Sequence, residues 1–299
     1  MAGFSSMDNF INAVSTNGQF YRADWNKNFL PTTAAVAGEW HCLARGAGNP
    51  GLGSIYNTGT NLAFQATSDS TTTAEGIKHG GNVSPATKHI VNASAYTAAA
   101  TVAPCVLMLI DFLGFYRVTS VTTITAQSTD NTVTIPRYTD GAGVQCFIFN
   151  PNTTALGAAT PNMSIGYTNS DGTAGRATPT TLPIGKTAAS NGLIIYSGTG
   201  AGKYGPFMPL QAGDKGIRSI QTIQNSTSYV SGEYCVALCK PLLTMPITTL
   251  GVASERDLMN QIPSLPRVYD GANLQWLMYS GQNTPTNSGL VGHIDVAWN

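Results

Sequence analysis

The stretch Pro136-Arg137-Tyr138-Thr139-Asp140-Gly141-Ala142-Gly143-Val144-Gln145 recurs later in the same chain as Pro266-Arg267-Val268-Tyr269-Asp270-Gly271-Ala272-Asn273-Leu274-Gln275. Six of the ten positions are identical, in the pattern P-R-x-x-D-G-A-x-x-Q, 130 residues apart (136 to 266). Catalytic motifs are rarely duplicated in this way, whereas folding units often are.

The repeated residues read as turn chemistry. Pro136 and Pro266 fix φ and hold the incoming chain extended, since neither can donate to a ladder. Asp140-Gly141 and Asp270-Gly271 are turn signals: Asp bonds backbone two residues ahead and Gly accepts φ > 0. Arg137 and Arg267 stand three residues from an aspartate, close enough for an ion pair across each turn. Gln145 and Gln275 are placed to satisfy backbone groups there. The competing reading is an Arg–Asp recognition site or dyad. Neither copy has a His, Cys or Ser at matching positions to complete one.

The register extends in both directions. Cys105-Val106-Leu107-Met108-Leu109-Ile110 is apolar on both faces, as in a strand covered from two sides, and it meets Cys235-Val236-Ala237-Leu238-Cys239-Lys240. Lys88 meets Arg218, Ile90 meets Ile220, and Leu113 meets Leu243. After the turn, Val144, Cys146 and Ile148 share a face, as do Leu274, Trp276 and Met278. A one-residue slip would invert every side chain, so agreement in both copies identifies a duplicated β unit. With a one-residue gap, Ile165-Gly166-Tyr167-Thr168 matches Val296-Ala297-Trp298-Asn299.

These patterns predict an all-β protein of two tandem, duplicated antiparallel β-sandwich domains of jelly-roll-like type. The expected division is an N-terminal helical arm over 1–27, a first sandwich over 28–169 and a second over 170–299. Met7, Phe10, Ile11 and Val14 form one apolar stripe within 5–18, with Ser5 and Asp8 at capping-box spacing and Asn17-Gly18 as the stop. Glu39 to Ala44 reads as a strand, and Glu255 to Met259 as a short helix capped by Ser254.

Composition narrows function. The chain has 299 residues, fifteen basic against fifteen acidic, and only 10% charged residues. An ordinary domain carries about 25%. No basic block is present to displace counterions, which argues against nucleic acid. A weakly charged, Thr- and Asn-rich surface suits packing against neighbours. The N-terminus lacks a basic region followed by an apolar run, so no secretory signal is expected. The apolar stretch from Ala103 to Phe115 is broken by Pro104 and Asp111 and is too short to span a bilayer. Five cysteines without a C-x-x-C read as reduced, mostly buried thiols.

Formal motif matches fail on context. Gly46 to Gly51 fits G-x-G-x-x-G, but Leu52-Gly53-Ser54-Ile55-Tyr56 is not a helix that could hold pyrophosphate. Gly198 to Tyr204 resembles a P-loop, yet Tyr204 stands where magnesium needs Ser or Thr. Cys235 and Cys239 lie too far apart along a strand for one zinc, and His79 with His89 has no supporting ligand pattern. Asp171-Gly172 after Asn169 lacks the ligand count of a calcium loop. No catalytic residue, cofactor site or metal site is expected.

Three strings, Leu109-Ile110-Asp111-Phe112-Leu113-Gly114-Phe115-Tyr116, the first repeated turn, and Ala212-Gly213-Asp214-Lys215-Gly216-Ile217-Arg218-Ser219-Ile220-Gln221, resemble structural proteins of tailed bacteriophages. The resemblance implies a virion component, a capsid-associated decoration or cement protein or a shell protein, with interfaces in place of an active site. It transfers no functional residues. The long-helix-and-loop pattern of the common tailed-phage shell is not evident, which favours an accessory protein. The expectation is a non-enzymatic, homo-oligomeric protein located in the virion, whose partners are its own copies and other capsid proteins, with no nucleic acid and no membrane. The alternative is a tail-associated receptor or glycan binder, for which Trp25, Trp40, Tyr167 and Trp298 are the candidate aromatics.

Overall fold

Residues matched at an offset of 130 fold into matched strands. The structure, a computed structural model, describes residues 3–28, 37–51, 62–63, 76–118, 120–129, 134–151, 154–179, 192–195, 205–261, 265–283 and 288–299. Helix α1 (Met7–Ile11) precedes strands β1 (Phe20–Asn28), β2 (Glu39–Cys42), β3 (Gly48–Asn49), β4 (Leu62–Ala63), β5 (Lys88–Thr97), β6 (Cys105–Arg117), β7 (Gln127–Ser128), β8 (Gln145–Phe149), β9 (Met163–Asn169) and β10 (Arg176–Ala177). Then come β11 (Ile217–Asn225), β12 (Cys235–Ile247), β13 (Ser254–Asp257), α2 (Leu258–Gln261), β14 (Arg267–Val268), β15 (Leu274–Ser280) and β16 (Gly289–Trp298). In the duplicated register, β5 corresponds to β11, β6 to β12, β8 to β15 and β9 to β16. The two central strands, β6 and β12, are each 13 residues long.

The strands form three antiparallel sheets, ordered β13-β5-β16-β1-β3, β10-β9-β11-β7 and β2-β15-β6-β12-β8. The last sheet is central. One end of it shares a core with the first sheet: Leu107 and Leu109 of β6, Met245 and Ile247 of β12, and Trp276 of β15 pack with Ile90, Ile294 and Trp25. The other end shares a core with the second: Phe112 and Phe115 of β6, Phe147 of β8, and Val236 of β12 pack with Ile165, Tyr167, Ile220 and Ile223. Each fully buried large side chain contributes roughly 1.5–3 kcal/mol. The all-β, sandwich-like class therefore holds.

The copies are interwoven. β6 pairs with β12, β15 with β6, β8 with β12, β16 with β5, and β9 with β11. Every one of these ladders joins a strand of one copy to a strand of the other. The β6–β12 register pairs Cys105 with Ile247 and Cys235 with Arg117. Replacing each residue by its counterpart 130 positions away converts the first pair into the second, so the ladder carries an internal two-fold relation. The expected division into side-by-side sandwiches at 28–169 and 170–299 does not describe this pairing. Each core draws on both halves.

Several local expectations shift. The arm ends by residue 19, because Phe20–Asn28 is a full strand between β16 and β3. α1 is capped by Ser6, whose hydroxyl accepts from the Asn9 amide, and not by Ser5. A π-helical turn, Asn12–Thr16, follows it, and Gly18 closes the segment at φ +64°. The arm docks on its own body: Phe4 packs on Phe10 and tilts over His89, and Ala13 is buried. Met7 and Ile11 stay exposed. Ser254 to Asp257 is a strand, and Asp257 caps α2 by accepting from the Met259 and Asn260 amides. Pro241 and Pro246 fall where β12 has lost β8 and pairs with β6 alone, so they sit on an open edge.

Candidate functional site

The two copies of the repeated turn meet at the internal two-fold. Tyr138 and Tyr269 stack edge to face with ring centroids 5.0 Å apart. Lys240 Nζ lies 5.4 Å from the centre of the Tyr138 ring, and the Arg267 guanidinium lies 4.2 Å from that of Tyr269. Burial pushes the Tyr138 hydroxyl well above its usual range. The result is a cation–ring–ring–cation stack between the turns.

Beneath it lies a buried ion pair. Arg137 forms a bidentate bridge to Asp111, Nε to Oδ2 at 2.8 Å and Nη2 to Oδ1 at 2.6 Å, and also donates to the Phe112 carbonyl. The backbone N–H of Asn273, in the second turn, donates to Asp111 at 3.0 Å. Gln275 donates to the Asn273 side chain at 3.0 Å. Burial pushes the Asp111 carboxyl up, against the opposing pull of Arg137. One strand residue of the first copy thus binds turn residues of both copies. The expected Arg137–Asp140 pairing is replaced by this longer-range bridge.

The other predicted turn residues hold local geometry. Asp140 accepts from the Ala142 amide at 3.1 Å, the two-residues-ahead bond its type foretells. Gly141, at φ +72°, lies against the Ile217 carbonyl, where a Cβ would come within 2.6 Å of the oxygen. Asp270 accepts from the Val83 amide and sits 3.6 Å from Lys88. The Pro266 carbonyl accepts from the Ile90 amide. Pro136 and Gln145 are half-buried, the latter opening β8 opposite Cys239. Gly271 lies in the second turn, half-buried.

A second buried polar group adjoins the second turn. Lys88 donates to the Gly81 carbonyl at 2.5 Å and lies 3.1 Å from His79 Nδ1, while His79 Nε2 lies 3.1 Å from the Ala272 carbonyl. Desolvation lowers His79 to about 4. Elsewhere Lys27, lowered by burial to about 8, donates to the carbonyls of Gly46 and Pro50. The G-x-G-x-x-G match is thus partly a β3 strand with a lysine clamp. The P-loop-like run lies outside the described residues. Asp214 takes hydrogen bonds from Arg176, Tyr167 and Asn169, and Arg176 leads in holding its carboxyl down to about 2. Asn169 in turn accepts from the Asp171 and Thr173 amides, so that loop is an Asx turn.

His79 and His89 do not converge: His89 Nδ1 faces the Leu265 carbonyl. Among the described residues no group of three or more His, Cys, Asp or Glu could hold a metal, and no helix is long and apolar enough to cross a membrane. All five cysteines are buried and unpaired, and burial pushes each thiol up. Of the candidate aromatics, Trp25 packs on Trp276, Tyr167 is buried, and Trp40 and Trp298 are half-buried.

Sequence reasoning missed Asp111 as the partner of Arg137. The signal was present: a lone carboxylate inside an apolar run must be paired if it is buried. In the sequence Lys88 shows only its register match with Arg218.

No protein-family model matches the chain, and no curated protein matches it. Among solved structures it is weakly similar to the crystal structure of an infectious bursal disease virus VP2 subviral particle, with 8% identity and a TM-score of 0.18 over 97% of this chain and 86% of that one. At that TM-score the likeness carries no argument.

Proposed function

We propose that this chain is a non-enzymatic structural protein of a tailed-phage virion, a decoration, cement or shell component that stabilises the capsid through symmetric protein–protein contacts. The observation that carries the reading is how the prominent polar side chains are used. Asp111, Arg137, Lys88, Lys27 and Asp214 each tie strands or turns together inside a duplicated, interwoven fold. The surface supports it too. Tyr96 and Val291, opposite each other across β5 and β16, are exposed, as are Leu250 and Val252 in the turn after β12. A face that is apolar in places and sparsely charged elsewhere is inexpensive to desolvate against a neighbour.

On this reading its partners are copies of itself and other capsid proteins, it engages neither nucleic acid nor membrane, and it resides in the virion. Sedimentation of intact particles, followed by quantification of the chain, tests it. Copy numbers on the order of hundreds are expected for a shell-covering protein, since closed symmetric shells repeat each contact many times. About a dozen copies would move the protein to the neck or tail, and absence from particles would overturn the reading.

A further inference from the structure

We propose that His79 and Lys88 form an acid-sensitive latch that clamps the second repeated turn to the start of β5. The geometry fixes the proton. A carbonyl only accepts, so the contact between His79 Nε2 and the Ala272 oxygen at 3.1 Å requires the hydrogen on Nε2. Nδ1 then carries the lone pair, and it faces the Lys88 ammonium at 3.1 Å. Lys88 donates in addition to the Gly81 carbonyl and lies 3.6 Å from Asp270 Oδ1. The neutral Nε2–H imidazole is therefore the only form that satisfies both neighbours.

Protonation at Nδ1 would aim a second donor at the ammonium, with both cations buried. The charged groups facing the ring are Lys88 from β5 and Asp270 from the turn; the latter lies beyond the ammonium and is itself partly exposed. One half-exposed carboxylate cannot offset two buried cations. Between the free value and the lowered folded one the proton goes to the opened form, and with opening go the Ala272 bond and the contact with Lys88.

The sign follows from the folded value lying below the ordinary one. Burial holds His79 at about 4 against 6.5 for a free imidazole. The stabilising contribution is complete above 6.5 and is lost as pH falls from there through about 4. Across that window opening takes up one proton, so the opening constant of the turn rises about tenfold per pH unit.

The test is amide hydrogen exchange of 76–90 and 266–275 in the intact chain between pH 7 and 4, corrected for intrinsic rates, with His79→Gln alongside. Glutamine keeps one donor and one acceptor but does not titrate. The expected result is accelerating exchange in the wild type and a flat profile in the variant. The same acceleration in both would overturn the latch. If His79→Gln does not fold, ring-nitrogen NMR of the wild-type protein decides. An Nε2–H tautomer that persists below pH 6.5 supports the latch; an Nδ1–H tautomer, or titration at the ordinary value, overturns it.

Discussion

The two copies of P-R-x-x-D-G-A-x-x-Q differ in what grips them. In the first, Arg137 is buried against Asp111, and the turn is held from outside by Arg218, which donates to the Asp140 carbonyl at 3.0 Å and to Ser170. In the second the arrangement inverts. Arg267 is exposed over Tyr269, and the inner grip comes from Lys88, the register counterpart of Arg218, together with His79. The reason lies in one position of the central strands. The counterpart of Asp111 is Pro241, which offers no carboxylate, so Arg267 has no equivalent ion to reach. A duplicated motif thus keeps its turn while its two ion sites divide, one copy anchoring through its arginine and the other through the strand before it.

The comparison can be broken most severely by separating the copies. Every ladder between duplicated strands crosses from one copy to the other, so residues 28–169 and 170–299 expressed apart strip β12 of both its partners and leave β6 only the two-residue ladder with β4. Circular dichroism and amide dispersion are expected to show both pieces unfolded, whereas two independent sandwiches would each give a cooperative melt. Next in size is the central ion pair. Arg137→Ala leaves the Asp111 carboxylate buried and half-satisfied, a loss of about 3–5 kcal/mol in urea unfolding. Arg267→Ala, at the matching position, removes only an exposed cation–ring contact of about 0.5–1 kcal/mol. Equal losses would mean that the copies are energetically symmetric after all.

Much of this was legible from residues and some was not. The offset of 130 located β6, β8, β12 and β15, because period-two alternation and apolar runs are written locally, and it set the residues of β5 in register with those of β11. Partner choice is not local. Nothing in β6 states that its neighbours are β12 and β15 from the other copy, since an apolar strand pairs equally well with either. The same limit hid the Arg137–Asp111 bridge, which joins residues brought together only by the strand order. The strand Phe20–Asn28 is hidden in the sequence because its outer face is largely polar and its buried face, Ala23, Trp25 and Lys27, includes a lysine. Lys27 is hidden by two carbonyls that sequence cannot place.

The lysine grip sharpens the contrast at smaller scale. Lys88→Met keeps the stem's packing but orphans the Gly81 carbonyl and the His79 lone pair, costing about 1–3 kcal/mol for each acceptor left dry. Arg218→Met in the other copy frees carbonyls that water can reach, and about 0–1 kcal/mol is expected. Thermal unfolding of the two variants side by side reads the difference directly.

The aspartates of the turns provide the finest measure. Asp270 accepts from the Val83 amide and faces Lys88, so Asp270→Ala removes a tie between the turn and the chain leading into β5. Asp140 is exposed, and its carboxylate accepts within its own turn, from the Ala142 amide. Its loss removes one local bond that water replaces, about 0.5–1 kcal/mol, or a fall of about 1–3 °C in melting temperature. Asp140→Ala is therefore expected to melt slightly early and, on the proposed virion role, to co-sediment with particles as the parent chain would. Loss of particle binding with an unchanged melt would turn the first turn from a folding device into a contact surface. Its exposed Asp140 and Ala142 would then be the place to look for the partner.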